Sequence, residues 1–297
     1  MGRWYLNLTP VQNQPSPLIL TFGPADPVGA LGIQSDVAVF AMHGCHGLSV
    51  VTGLLVADSA RVDHIQPVES SSVVEQARML LEDMPIAAIK VGTMASLEQV
   101  AAIAEIVSDY AQLPLILDPF TTGLPDCGVR DDDMLTLIHQ LLVPQAHVLM
   151  MSQPELARFA DCWRDPGSVA TVAEDVAELT AFGCGHVLVT GIGGGDGVRA
   201  DNLYDPDGLT VSLSWPQHLP GPFVGAGNTL SAALAARMAQ GLDAIEALAY
   251  AQDYTSGALQ HACRFGMGRL IPNKLYRIAA PCPPGTSTSD DQQEEQP

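Results

Sequence analysis

Lysine is nearly absent from this chain: its 297 residues include only Lys90 and Lys274. Lysine and arginine together number 13 against 33 acidic residues, a formal charge of -20. A surface of that sign repels nucleic-acid phosphates and anionic membranes, which argues against both as partners. The acidity fits two readings, plain solubility and adaptation to high internal salt. In the second, screening over a few Å relieves the self-repulsion. It predicts a melting temperature that climbs as salt is added, and a flat or falling curve would overturn it.

Close cysteine pairs are missing too. Cys45, Cys127, Cys162, Cys184, Cys263 and Cys282 lie far apart, without the spacing of metal or redox motifs, and read as reduced thiols that pack. His43 and His46 flank Cys45, but no second cluster is spaced to complete a zinc site. There is no apolar run of membrane-spanning length. The opening segment holds Asn, Gln, Pro and one Arg in place of a basic start followed by an apolar stretch, so the chain reads as a cytoplasmic protein. No Pro, Gly or Ser linker divides it, and no solenoid period repeats. The expected organisation is an N-terminal extension over 1–17, one domain over 18–278 and a disordered acidic tail over 279–297.

What is present is alternation. Short runs rich in Val, Ile and Leu alternate with longer amphipathic stretches, the pattern of a mainly parallel sheet flanked by helices. Strands are predicted at 18–22, 48–52, 88–91, 115–117, 148–150 and 187–189. Helices are predicted at 32–42, 71–83 with a serine cap, 97–110, 132–142, 154–159, 169–182, 229–240 and 244–263. Asp205-Pro206-Asp207-Gly208 is a turn signal between 200–204 and 210–214, predicting an antiparallel hairpin. Met238, Leu242, Leu248 and Leu259 on the last helices read as core.

Three glycine-rich segments invite chemistry. Gly225-Ala226-Gly227-Asn228-Thr229 stands directly before an Ala-rich helix. Residues without Cβ let backbone amides converge on an anion, and a helix start adds partial positive charge. Asn228 equally suits a plain N-cap. The run from Gly23 to Asp36 links the first strand to the first helix, where a parallel sheet binds small ligands. Asp26 there suits a turn cap, and Asp36 a solvated helix position. The third segment, Gly191 to Gly197, follows a strand but leads into hairpin sequence, so no helix terminus would meet a dinucleotide pyrophosphate. A turn over a nucleotide fits it better.

Together these segments resemble the hydroxymethylpyrimidine and phosphomethylpyrimidine kinase family. The first loop is similar to the family's G-S-D-P-S-G-G-A-G-I-Q-A-D, with Asp26, Pro27, Gly29, Gly32, Ile33, Gln34 and Asp36 in register. Ala88-Ile89-Lys90-Val91-Gly92 is similar to A-I-K-I-G, and Leu117-Asp118-Pro119 to L-D-P. Gly225 to Ala233 resembles G-T-G-C-T-L-S-A-A, with Gln240-Gly241-Leu242 following as Q-G-L does. The likeness runs over roughly residues 18 to 262, in order.

The resemblance implies a ribokinase-like three-layer α/β/α sandwich that phosphorylates hydroxymethylpyrimidine, its monophosphate or both, using ATP and Mg²⁺. It also implies a homodimer. Asp118 and Glu155 would hold Mg²⁺ or its waters, and Gly225, Ala226, Gly227 and Asn228 would receive the transferring phosphoryl group. Gly29 to Gly32 with Asp36 would line the pyrimidine pocket.

The sequence departs from the family at several of these places. Asn228 stands where these kinases carry Cys, and where most of the superfamily carries Asp. An amide can orient a hydroxyl but takes up no proton near neutral pH. Ala57-Asp58-Ser59 replaces Q-N-T, whose Gln reads the pyrimidine edge, and Thr93 replaces the Met of K-I-G-M. Ser152 to Glu155 stands within an altered T-P-N-x-P-E, and Thr190-Gly191 replaces the phosphate-facing K-G of K-G-G-H. Phe120 to Pro125 departs from the family's loop after L-D-P. Two alternatives follow: a vitamer-binding pseudoenzyme of the same fold, or a kinase of another small alcohol such as a pyridoxal-type vitamer.

Overall fold

The computed structural model describes residues 16–119, 132–165, 167–168, 170–193, 198–216 and 218–278. The predicted tail, most of the N-terminal extension, the loop after Pro119 and Gly194 to Gly197 lie outside these residues, as do Cys127 and Cys282.

Among the described residues nine strands form one sheet in the order β3-β2-β1-β4-β5-β6-β7-β8-β9. They are β1 (Leu18–Ala25), β2 (His46–Ala57), β3 (Val62–Pro67), β4 (Ile86–Val91), β5 (Leu115–Leu117), β6 (Val148–Ser152), β7 (His186–Gly193), β8 (Arg199–Asp205) and β9 (Gly208–Ser214). The pairs from β2 through β1, β4, β5 and β6 to β7 are parallel, whereas β3, β8 and β9 join by antiparallel pairing.

Side chains alternate across the pleat, so each central strand feeds two cores. Leu20, Phe22, Ile89, Val91, Leu115, Leu117, Leu149 and Val187 face one core. It is closed by α2 (Ser70–Asp83), α3 (Leu97–Ser108), α4 (Asp132–Leu141), α5 (Gln153–Phe159) and α6 (Val172–Ala181). Ile19, Ala88, Ile116, Val148 and Leu188 face the other, covered by α1 (Gly32–Met42), α7 (Ala226–Ala239) and α8 (Ala244–Gln260). This is the expected three-layer sandwich with a mainly parallel sheet.

Helix α7 is buried nearly all round from Thr229 to Ala236. Its alanines permit that, because small side chains let one helix lie close to the sheet while α8 packs over it. A Schellman arrangement ends it: Leu242 N–H donates to Arg237 O at 3.2 Å and Gly241 N–H to Met238 O at 2.9 Å, with Gly241 at φ +93°.

Three expectations need correction. Strand β3 was not anticipated; its sequence, Val-Asp-His-Ile-Gln-Pro, lies at the sheet edge with one flank in solvent and lacks a clear apolar alternation. Helix α7 begins at Ala226, three residues before the predicted start, with Gly225 as its N-cap; Asn228 is therefore inside the first turn and is no cap. The N-cap of α2 is Glu69 in place of a serine.

Candidate active site

Chain order reverses at β1, which pairs with β2 on one side and β4 on the other. A crevice at the carboxyl ends of parallel strands forms at such a switch point. Here it is a cavity of about 240 Å³. Gly23 on β1, Thr93 after β4, Asp118 after β5, Ser152 on β6 and Thr190 on β7 line it, with the first turns of α1, α5 and α7.

Two glycines shape it. Gly32 (φ +58°) and Gly225 (φ +88°) are left-handed, and a Cβ would fall 2.0 Å from Pro24 O and 2.1 Å from Ala30 O respectively. No other residue type fits either place. These contacts bring the α1 and α7 starts together. The first intrahelical bond of α7 is Thr229 N–H to Gly225 O, 3.0 Å. The N–H groups of Ala226, Gly227 and Asn228 precede it at the cavity wall, an arrangement that receives anions.

Asp26 organises the loop before α1. Its carboxylate accepts N–H bonds from Val28 (2.9 Å), Ala30 (2.9 Å) and Leu31 (2.8 Å). Lys274 Nζ adds a bond of 3.1 Å to Gly29 O. Burial pulls this amine down to about 8, partly offset by Asp26 and Asp36.

Asp36 is the hub of the cavity floor and is 1% exposed, which overturns its reading as a solvated residue. Oδ2 accepts Thr21 Oγ1 at 2.6 Å and Lys90 Nζ at 3.0 Å; Oδ1 accepts Lys90 Nζ at 2.9 Å and Asn228 Nδ2 at 2.8 Å. The other end of that amide is engaged as well, since Gly32 N–H donates to Asn228 Oδ1 at 3.1 Å. Asn228 thus latches α7 to α1 at both ends of its side chain.

On the next strand, Asp118 accepts the Ser231 hydroxyl at 2.6 Å. Burial pushes its carboxyl up to about 6, against the pull of Lys90 and Ser231. Glu155 lines the same cavity and closes the start of α5, its Oε2 accepting Ser152 N–H and Ser152 Oγ, each at 2.7 Å. Two carboxylates facing one cavity suit Mg²⁺, a hard ion that fills its remaining positions with water and phosphate oxygens. No group of three or more His, Cys, Asp and Glu side chains placed to hold a metal ion occurs among the described residues.

Beside the cavity lies a second cleft of about 580 Å³, reached past Thr190 and Gly227 and lined by Gly191, Trp215 and Phe223. Buried Asp201 accepts Gly191 N–H at 3.0 Å and fixes that turn. Burial raises its carboxyl to about 6, moderated by Trp215, Gly191 and Gln252. A mouth that opens on the α7 amides suits a nucleotide whose phosphates point into the cavity.

Of the residues singled out from sequence, Gly32, Asp36, Thr93, Asp118, Glu155, Thr190, Gly225, Ala226, Gly227 and Asn228 share the cavity, and Gly191 lies in the adjoining cleft. Ala57 lines a separate pocket of about 180 Å³ that shares Leu31, Val224 and Arg269 with the cavity. Gly29 is outside the cavity wall. Thr21, Lys90, Ser231, Lys274 and Arg269 were not singled out as site residues. A signal existed for two of them: in a chain with two lysines, both are buried beside this loop system.

The sandwich has the ribokinase-like fold. Bacillus subtilis pyridoxal kinase, solved as an ADP complex, superposes with a TM-score of 0.76 at 22% identity, covering 89% of this chain and 100% of that one. Residues 26–273 match the phosphomethylpyrimidine kinase family, and the chain belongs to it.

Among relatives, the hydroxymethylpyrimidine/phosphomethylpyrimidine kinase of Escherichia coli is 28% identical over 252 residues, covering 85% of this chain and 94% of its own length. The thiamine biosynthesis bifunctional protein ThiED of Geobacter sulfurreducens is 28% identical over 259 residues, 86% of this chain. The chain spans 52% of that larger protein. No helix among the described residues is long and apolar enough to cross a membrane.

Proposed function

We propose that the chain phosphorylates hydroxymethylpyrimidine, its monophosphate or both from ATP, in thiamin biosynthesis or salvage. The observation that carries this reading is the convergence, on one cavity, of the α7 amides, the Asp118 and Glu155 carboxylates and the Gly32 loop. Bound Mg²⁺ and ATP supply the charge neutralisation and the leaving group of phosphoryl transfer.

The protein's part is positioning and electrostatics. Asp118 and Glu155 hold the metal or its waters. The N–H groups of Ala226, Gly227 and Asn228 receive the transferring group. Gly32, Asp36 and Thr93 border the substrate, while Thr190 and Gly191 meet the nucleotide. Asn228 orients the reacting hydroxyl with the amide N–H and oxygen lone pair that its bonds to Asp36 and Gly32 leave over, and takes no proton because an amide is no base near neutral pH. The protein works in the cytoplasm as a homodimer, to which exposed Leu54 and Val56 on β2 offer apolar side chains.

A pyridoxal-type vitamer is the second reading. Ala57, in place of a side chain that reads the pyrimidine edge, favours it, and so does the likeness to pyridoxal kinase. A coupled ATP-turnover assay with hydroxymethylpyrimidine, its monophosphate and pyridoxal separates the cases. Turnover on either pyrimidine is the expected result. Turnover on pyridoxal alone would move the assignment to the second reading, and binding without turnover on all three would make the chain a vitamer-binding pseudoenzyme.

A further inference from the structure

Arginine is scarce on this acidic chain, yet one arginine borders both the 240 Å³ cavity and the neighbouring 180 Å³ pocket: Arg269. Its position is set by main-chain bonds. Arg269 N–H donates to Ser59 O at 2.8 Å and Gly268 N–H to Ser59 Oγ at 3.2 Å, tying the segment to the tip of the β2–β3 hairpin. Leu270 N–H donates to Pro222 O at 3.0 Å and Leu270 O accepts Val224 N–H at 2.9 Å, tying it to the segment that enters α7. A Cβ at Gly268 would lie 2.3 Å from the Ser59 carbonyl carbon, so the approach demands glycine. Residues 268–270 form a strap that brings Arg269 to the cavity wall, and the bonds that hold it are made by its main chain.

The chain's two lysines are already engaged. Lys90 is paired with Asp36, and Lys274 bonds the Gly29 carbonyl. Arg269 enters no ion pair among the described residues, and it borders the same cavity as the α7 amides. Arg61, on the hairpin itself, borders the smaller pocket and adds positive charge there. A guanidinium bordering the same cavity as a helix N-terminus can add charge-assisted hydrogen bonds to a phosphate held there.

We infer that Arg269 is a specificity-determining residue that binds the phosphate of a phosphomonoester substrate, so that the site prefers the pyrimidine monophosphate to the free alcohol. The inference rests on the pyrimidine reading above. It accounts for a cavity with threonine at position 190: the positive charge stands on the substrate side instead of the nucleotide side.

Calorimetric titration of the full chain with hydroxymethylpyrimidine and with its monophosphate, without nucleotide, tests it in the unaltered protein, Arg269→Gln and Arg269→Lys. Arg269→Gln is expected to weaken monophosphate binding about 10- to 100-fold and to leave the alcohol nearly unchanged. Arg269→Lys is expected to restore part of the loss, and all three proteins should melt alike because the strap is held by backbone. Equal weakening of both ligands, or of neither, would overturn the role of Arg269 while leaving the pyrimidine reading intact. Failure of the unaltered protein to bind either pyrimidine would overturn both.

Discussion

Lys90→Met is expected to cost the fold about 3–5 kcal/mol, the usual consequence of leaving a buried charge without its partner. Lys90 and Asp36 are each 1% exposed, and the ammonium contacts both carboxylate oxygens. Removing it leaves Thr21 and Asn228 as the remaining donors to a carboxylate that is 1% exposed. The melting temperature should fall on the order of 10 °C. Replacing both partners, Lys90→Met with Asp36→Leu, should recover much of the loss, because the desolvation of two charges disappears together. A single-variant loss under about 1 kcal/mol, as at an exposed pair, would show that the two neutral donors suffice.

The lysine is conspicuous because of what surrounds it. On β4 its neighbours Ile89 and Val91 face the larger core, while Ala88 and Lys90 face α1 and α7. Strand period thus delivers a cation to the junction of two helix starts that lie 192 residues apart in sequence at Asp36 and Asn228. That separation explains what could be read beforehand. The alternation of Val-rich runs with amphipathic stretches located the eight α-helices and eight of the nine strands among the described residues, because both periods are local. β3 escaped because its sequence, with no buried side chain, carries no clear apolar alternation.

In the site, the glycine loops were legible as strand-to-helix turns and the carboxylates as members of ordered motifs. The partners were not. Nothing within a few residues of Ser231 announces a bond to Asp118, and nothing near Arg269 announces the hairpin that holds it. Asn228 shows the limit most directly: its suitability as a cap is a local property, and the true start of α7 is fixed by the close approach of Gly225 to Ala30.

Asn228→Cys is expected to raise turnover on hydroxymethylpyrimidine, whose hydroxyl must lose a proton, by as much as about 10²- to 10⁴-fold, the range a positioned proton acceptor contributes. A thiol at this place sits in the first turn of α7, where partial positive charge favours the thiolate. Asn228→Asp is expected to gain less near neutral pH. The amide nitrogen it replaces is 2.8 Å from Asp36 Oδ1, so the new carboxylate meets a like charge that disfavours its ionisation. It also removes the donor that completes the Asp36 shell, and stability should fall alongside.

The pH profile distinguishes these effects. The Asp variant should become more active as pH rises and the introduced group ionises, whereas the unaltered protein has no titrating group at position 228. Steady-state kcat for the three proteins from pH 6 to about 9, spanning the ordinary range of a perturbed carboxyl and a thiol, reads the outcome. Equal kcat in all three would place proton acceptance outside position 228 and leave Asn228 as a latch between α1 and α7.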